Sequence, residues 1–260
     1  MSVPHRPRKR FSQNFLVDQA VIADIIAAIS PQSDDTIVEI GPGLGALTRP
    51  LASAVARLHV VEIDRDIVAR LREAYPPERL VIHEGDALEF DFAALGPGLR
   101  VVGNLPYHIS TPLLFSLAEN APALRDIHVM LQKEVVDRMV APAGSSEYGR
   151  VSVMLQYRFE MEKLIDVQPS AFRPAPKVDS AIVRMLPRQA DALRARDDRL
   201  LAETVAAAFA QRRKTLRNTL GHIVTPEELA SLGLDSQRRA QTLSVADFVK
   251  IADYRASRIP

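Results

Sequence analysis

Val38-Glu39-Ile40-Gly41-Pro42-Gly43-Leu44-Gly45-Ala46-Leu47-Thr48 reads as the end of a strand, a glycine-rich turn and the beginning of a helix. Glycines at these positions let the backbone turn tightly and let a ligand approach main-chain atoms that a Cβ would shield. Working outward, apolar β-branched runs alternate with amphipathic stretches from residue 18 to about 185. Strands are expected at residues 36–40, 58–63, 80–83, 100–102 and 127–131, with helical segments between them. Asp18 is placed to cap a helix that carries Ile22, Ile25, Ile26 and Ile29 on one face. Ser110-Thr111-Pro112 is a further helix start, a hydroxyl cap followed by proline in the first turn. Such alternation predicts an α/β fold with a mostly parallel sheet covered on both faces. Residues 163–167 and 179–186 lack a long helix between them, so an antiparallel pair closes the sheet. From Pro187 onward helical periodicity takes over, with helix starts at Thr225-Pro226-Glu227-Glu228 and at Ser244 through Asp247. The expected boundary therefore lies at 187, with a small all-helical domain over 188–260.

Each expected strand end carries chemistry. Glu62 ends the second strand, 21 residues after Gly41, where a carboxylate can accept from both ribose hydroxyls. Gly41, Gly43 and Ala46 satisfy a dinucleotide pattern, so a nicotinamide cofactor competes for the site. Asp86, in Gly85-Asp86-Ala87-Leu88 after the third strand, can accept from the exocyclic amine of adenine. Pro42 removes one N–H from the turn, a poor choice where amides must cradle phosphate. A ribose acid and an adenine acceptor without a phosphate cradle match S-adenosylmethionine, which has no pyrophosphate. Gly103-Asn104-Leu105-Pro106-Tyr107 follows the fourth strand and suits methylation of an adenine amine. That nitrogen is a poor nucleophile because its lone pair is delocalised into the ring. The Asn104 side-chain oxygen and the Leu105 carbonyl can accept its two N–H bonds and stabilise the charge that develops on it. Pro106 biases Leu105 toward an extended backbone, which aims the carbonyl. Tyr107 offers a flat face for an extruded base. Phe172, in the proline-stiffened loop Ser170-Ala171-Phe172-Arg173-Pro174-Ala175-Pro176, is a candidate for the base's other face, although a lone aromatic is more often core.

Formal net charge is +1, but it divides unevenly: +4 over residues 1–13, −7 over 14–187 and +4 over 188–260. Two basic ends around an acidic body suit a polyanionic partner. The densest run is Gln211-Arg212-Arg213-Lys214-Thr215-Leu216-Arg217, where Arg212, Arg213, Lys214 and Arg217 are candidate RNA contacts. At least one of these arginines is expected to pack between domains instead. Cysteine is absent, which excludes disulfides, thiolate zinc sites and cysteine nucleophiles. No apolar stretch has the roughly 18 to 20 residues of a membrane helix, and RPRKR at the amino end is followed by no apolar leader core. A soluble, cytoplasmic protein is expected.

The runs Arg10-Phe11-Ser12-Gln13-Asn14-Phe15-Leu16, Glu39-Ile40-Gly41-Pro42-Gly43-Leu44-Gly45, Val61-Glu62-Ile63-Asp64, Gly85-Asp86-Ala87-Leu88, Asn104-Leu105-Pro106-Tyr107 and Phe172-Arg173-Pro174-Ala175-Pro176-Lys177-Val178-Asp179-Ser180 occur in this order. Together they resemble the ribosomal RNA adenine N6-dimethyltransferases. The run from Gln211 to Asn218 is similar to the signature of the bacterial small-subunit members, the kasugamycin-resistance methyltransferases. The resemblance implies a class I S-adenosylmethionine-dependent methyltransferase, a Rossmann-like catalytic domain over 1–187 with a basic arm at 1–13, and a helical rRNA-recognition domain over 188–260. It implies a donor pocket at Asn14, Leu16, Gly41, Gly43, Glu62, Ile63, Asp86, Ala87 and Asn104, with S-adenosylhomocysteine as product and no metal. It also implies dimethylation of two adjacent adenosines in the 3′-terminal hairpin loop of 16S rRNA, in the 30S subunit or its precursor, by a monomer with a role in subunit biogenesis and no membrane partner. Two positions depart from the family pattern: His108, where Asn follows the tyrosine, and Ser12, where Gly is usual. Erythromycin-resistance-type action on large-subunit rRNA and a non-catalytic RNA-binding role on the same fold are the competing readings.

Overall fold

The computed structural model describes residues 14–107, 109–189 and 194–258; the basic arm at 1–13 with Ser12, and His108, lie outside the described residues. In chain order the first elements are β1 (Phe15–Leu16), α1 (Gln19–Ile29), β2 (Ile37–Ile40), α2 (Thr48–Ala54), β3 (Leu58–Glu62), α3 (Arg65–Ala74), β4 (Leu80–Glu84), β5 (Leu99–Asn104), α4 (Ser110–Glu119) and β6 (Leu124–Gln132). There follow α5 (Lys133–Val140), α6 (Arg150–Arg158), β7 (Phe159–Val167), β8 (Phe172–Arg173) and β9 (Ser180–Pro187), then α7 (Asp198–Phe209), α8 (Leu216–Leu220), α9 (Pro226–Ser231) and α10 (Val245–Ala256). Among the described residues no helix is long and apolar enough to cross a membrane.

Seven strands form one sheet in the order β4-β3-β2-β5-β6-β9-β7. Pairing is parallel from β4 through β6, and β9 runs antiparallel to β6. Arg188 N–H donates to Arg158 C=O at 2.8 Å, and Arg184 bonds Glu162 at 2.6 Å. One index rises as the other falls, which marks β7 and β9 as an antiparallel pair. β2 is buried along its whole length, as a central parallel strand covered on both faces must be. The Asp18 cap of α1 accepts from Ala20 N and Val21 N, and Ile22, Ile25 and Ile29 are buried beneath it. Gly103 is the residue that lets β5 lie close to β2: a Cβ there would stand 2.5 Å from the Ile40 carbonyl oxygen.

A polar network ties the opposite edge of the sheet. Arg100, buried at the start of β5, donates from Nε to Asp126 Oδ1 at 2.9 Å and from its terminal nitrogens to Asp35 and to the Ile29 carbonyl at the end of α1. Burial alone would raise both carboxyls. For Asp35 the Gln32 N–H and Arg100 outweigh it, and for Asp126 His128 and Arg100 do, so both stay below the usual carboxylate range.

Contacts divide the chain into Met1–Val136 with Met161–Pro187, and Asp137–Glu160 with Arg188–Pro260. The second unit thus takes in a segment that the sequence pattern leaves with the sheet. The reason is apolar: Tyr148, Val153 and Tyr157 pack in one buried cluster with Leu201, Val205, Leu216, Leu229, Phe248 and Ile251. Thr225 and Ser244 cap α9 and α10, each in a reciprocal capping box with Glu228 and Asp247.

Candidate functional site

A cavity of about 260 Å³ opens where the glycine turn after β2 meets the carboxyl ends of β3, β4 and β5. This is where β2 sends neighbours to both sides, the place at which open α/β sheets bind ligands. Its wall holds Asn14, Leu16, Gly41, Gly43, Glu62, Ile63, Asp86, Ala87, Asn104, Leu105, Pro106 and Tyr107, so the structure brings these sequence candidates together. Phe15, Glu39 and Ile109 join them without having been singled out beforehand.

The turn is held in shape by its own chain. Gly41 N–H donates to the Val61 carbonyl at 2.9 Å, which fixes the turn to β3. Gly43 has φ +55°, and a Cβ on it would stand 3.1 Å from the Phe15 ring. A side chain there meets both backbone strain and a crowded neighbour. Glu62, almost fully buried, accepts from Asp64 N–H at 2.8 Å and also from the Gly43 and Ile63 amides. Burial raises its pKa, against those bonds. Asp86 accepts from Leu88 N–H at 2.9 Å, an Asx turn that anchors the loop after β4. Ile63 is half exposed and gives this part of the wall an apolar face. These residues fit an adenosine: a carboxylate for ribose hydroxyls, an acid near the third strand end for an amine, and an apolar surface for a ring.

Asn104 donates from Nδ2 to the main-chain carbonyl of Asn14 at 3.1 Å. A carbonyl can only accept, so this bond orients the amide and leaves Oδ1 as an acceptor. Leu105 N–H is taken by the Met130 carbonyl on β6 at 3.1 Å, which sets the direction of the following peptide. Tyr107 Oη lies 2.7 Å from the buried Ser180 Oγ, which pins the ring; burial pushes its pKa up, against the Ser180 bond.

Phe172 is not brought to this wall. Its ring is fully buried in the apolar cluster that includes Phe15, Leu16 and Ile22, and β8 pairs antiparallel with β1 so that Phe172 stands opposite Leu16. The strand pairing thus gives the ring its contacts in this cluster.

In the helical unit, Arg212, Arg213 and Lys214 occupy the turn before α8, and Arg217 lies in its first turn. All four are exposed. Thr215 forms an antiparallel bridge with Arg239, and Leu216 N–H donates to the Arg238 carbonyl at 2.8 Å. The exposed Arg239 therefore sits beside the basic tract, a neighbour that no spacing in the sequence reveals. Among the described residues no group of three or more His, Asp and Glu side chains is arranged to hold a metal ion.

A mostly parallel sheet with a glycine turn and acids at successive strand ends around one cavity has the arrangement of an S-adenosylmethionine-dependent methyltransferase. The ribosomal RNA adenine dimethylase family model matches residues 4–257, and the chain belongs to that family. Over 254 residues it is 60% identical to ribosomal RNA small subunit methyltransferase A of Thiobacillus denitrificans, which covers 98% of this chain and 100% of that protein. Among solved structures, a dimethyladenosine transferase from Plasmodium falciparum matches with a TM-score of 0.78 at 28% identity, over 91% of this chain and 95% of that one. The 23S rRNA methyltransferase ErmE matches with a TM-score of 0.74 at 26% identity, over 94% of this chain and 100% of that one.

Proposed function

We propose that this enzyme transfers methyl groups from S-adenosylmethionine to N6 of two adjacent adenosines in the 3′-terminal hairpin loop of 16S rRNA, dimethylating each within the small subunit or its precursor. The observation that carries the reading is the Asn104–Asn14 bond, which occupies the amide nitrogen and leaves the acceptor Oδ1 for a ligand, on a residue of the same cavity wall as Glu62 and Asp86. When bound, S-adenosylmethionine supplies an electrophilic methyl group on a sulfonium. Asn104 Oδ1 and the Leu105 carbonyl accept the two N–H bonds of the target amine and turn its lone pair out of conjugation. Both oxygens then stabilise the positive charge that grows on nitrogen. The Tyr107 ring, held through Ser180, receives the face of the extruded base. No general base is needed, because the methylated nitrogen loses its proton readily to water. In the second methylation one acceptor faces a methyl group instead of an N–H.

Small-subunit specificity is supported by the 60% identical relative and by the tract at 211–218, whereas ErmE is 26% identical. The chain acts as a cytoplasmic monomer without a metal. Incubating it with labelled donor and either immature 30S particles or naked 23S rRNA tests the assignment. Label is expected in the 3′-terminal fragment of 16S rRNA as N6,N6-dimethyladenosine; incorporation into 23S rRNA alone overturns it.

Arg212, Arg213, Lys214 and Arg217 are assigned to RNA phosphates. Neutralising any one of them is expected to reduce the slope of log K against log salt by about one, through loss of one released counterion. Filter binding to 30S particles between low and moderate salt checks this, and a variant that keeps the full slope removes that residue from the interface.

A further inference from the structure

The donor cavity is lined by acids without a base. Glu39, Glu62 and Asp86 stand in its wall, and no lysine, arginine or histidine does so among the described residues. The two glutamates are almost fully buried, on adjacent parallel strands, with Glu39 opposite Val60 and Glu62 two residues further along β3. They are not supported equally. Glu62 receives three backbone N–H groups, from Asp64, Gly43 and Ile63. Glu39 receives a single hydroxyl, Thr48 Oγ1 at 2.7 Å, and no Lys, Arg or His forms an ion pair with it among the described residues. A buried carboxylate needs donors or a counter-charge to ionise, so of the pair Glu39 is the one left holding a proton.

The groups that face it give no relief. Across β3 the nearest charge is Glu62, with Asp64 just beyond it, and at the end of β4 stands Asp86. On α2 the neighbour is Thr48, while Arg49 points to solvent. On β5 Val102 is opposite, with Arg100 bonded away at the other end of the strand. Burial accordingly pushes the Glu39 carboxyl up to about 8, the Thr48 hydroxyl opposing and Glu62 reinforcing.

The ligands of this cavity differ by one unit of charge. The donor carries a sulfonium in addition to its amino-acid zwitterion, and the product has a neutral thioether. Resting on the assignment of the cavity to S-adenosylmethionine, we propose that Glu39 reads this difference: it keeps its proton in the empty or product-filled cavity and releases it to solvent when the cationic donor binds, which weights affinity toward donor over product. The positive ligand favours the ionised acid, so donor binding strengthens as pH rises toward and past 8 and weakens below it. Product binding lacks most of this dependence.

Titration calorimetry on the full chain tests this, with S-adenosylmethionine and S-adenosylhomocysteine each measured near pH 7 in buffers of different ionisation enthalpy. Wild type is expected to release about half a proton or more in excess on donor binding compared with product binding. Its donor-to-product affinity ratio is expected to rise at least about tenfold from pH 6 to pH 8.5, because an acid titrating near 8 is almost wholly protonated at the lower value. Glu39→Gln abolishes both differences, while the ligands' own amino groups titrate alike against either protein. Thr48→Val withdraws the one hydroxyl that favours ionisation and moves the midpoint of the dependence to higher pH, an arm that stands even should the Gln variant not fold. Equal proton counts in wild type and Glu39→Gln with binding intact, or an unmoved midpoint in Thr48→Val, overturn the role of Glu39 alone. Failure of wild type to bind either ligand overturns the cavity's assignment itself.

Discussion

Asn104→Ala is expected to lower the single-turnover rate of methyl transfer at saturating donor by about 10²- to 10³-fold, the scale seen when one pre-organised partner of a developing charge is removed. The side chain has two duties at its two ends. Nδ2 ties the amino-terminal segment to β5 through the Asn14 carbonyl, and in the proposed reaction Oδ1 accepts from the target amine. Loss of the first is worth about one neutral hydrogen bond, so donor affinity should weaken by about tenfold at most. Loss of the second appears in the rate alone. Affinity for 30S particles should change little, since the candidate phosphate contacts lie in the other unit. Quenched-flow measurement of labelled methyl transfer, alongside donor titration, separates the two. An unchanged rate at saturating donor would remove Asn104 from the chemistry.

Arg100→Met should cost about 3–5 kcal/mol of stability at neutral pH, the range found when one member of a buried charge network is withdrawn. Methionine fills much of the space but leaves Asp35 and Asp126 without their shared cation, and the Ile29 carbonyl without a donor. The pH dependence follows from the shifts. In wild type both carboxyls titrate below their ordinary value, so their contribution is present above about pH 4 and is lost as the solution is acidified through the folded values. In the variant burial is opposed only by the Gln32 amide and Arg125 at Asp35 and by His128 at Asp126, so both acids rise from their wild-type values, and protonation relieves the buried charge. The gap between wild type and variant should therefore narrow from pH 7 to pH 4.5. Denaturant melts at the two values check both statements; a loss under about 1 kcal/mol at pH 7, the cost of an ordinary substitution, would show that the network carries little.

What could be read along the chain was what is local. A strand, three glycines and a helix start within eleven residues announce a turn that admits a ligand, because glycine's freedom at φ above zero is a property of one residue. Glu62, Asp86 and Asn104 were legible because each closes or shortly follows a strand, and parallel strands place their ends along one edge of a sheet. The helix starts at Asp18, Thr225 and Ser244 were legible for the same reason, since a cap acts over three residues.

Residues far apart in the chain were settled otherwise. Phe172 looked like a loop aromatic near the site until pairing with β1 set it opposite Leu16 in the core. Residues 137–160 follow the sheet strands in sequence, yet their aromatic and aliphatic side chains complete the helical unit's core. Arg239 joined the basic tract through a single bridge to Thr215.

The sequence by itself determined the parallel sheet, the ligand-admitting turn and the kinds of groups at its edge, because these follow from side-chain periodicity and from the conformational range of single residues. Only the tertiary structure decided which carbonyl the Asn104 amide nitrogen is tied to, which of two similar glutamates is short of donors, and which aromatic lies inside. Hydrogen-bond supply and burial are set by partners tens of residues away, and no local pattern encodes them.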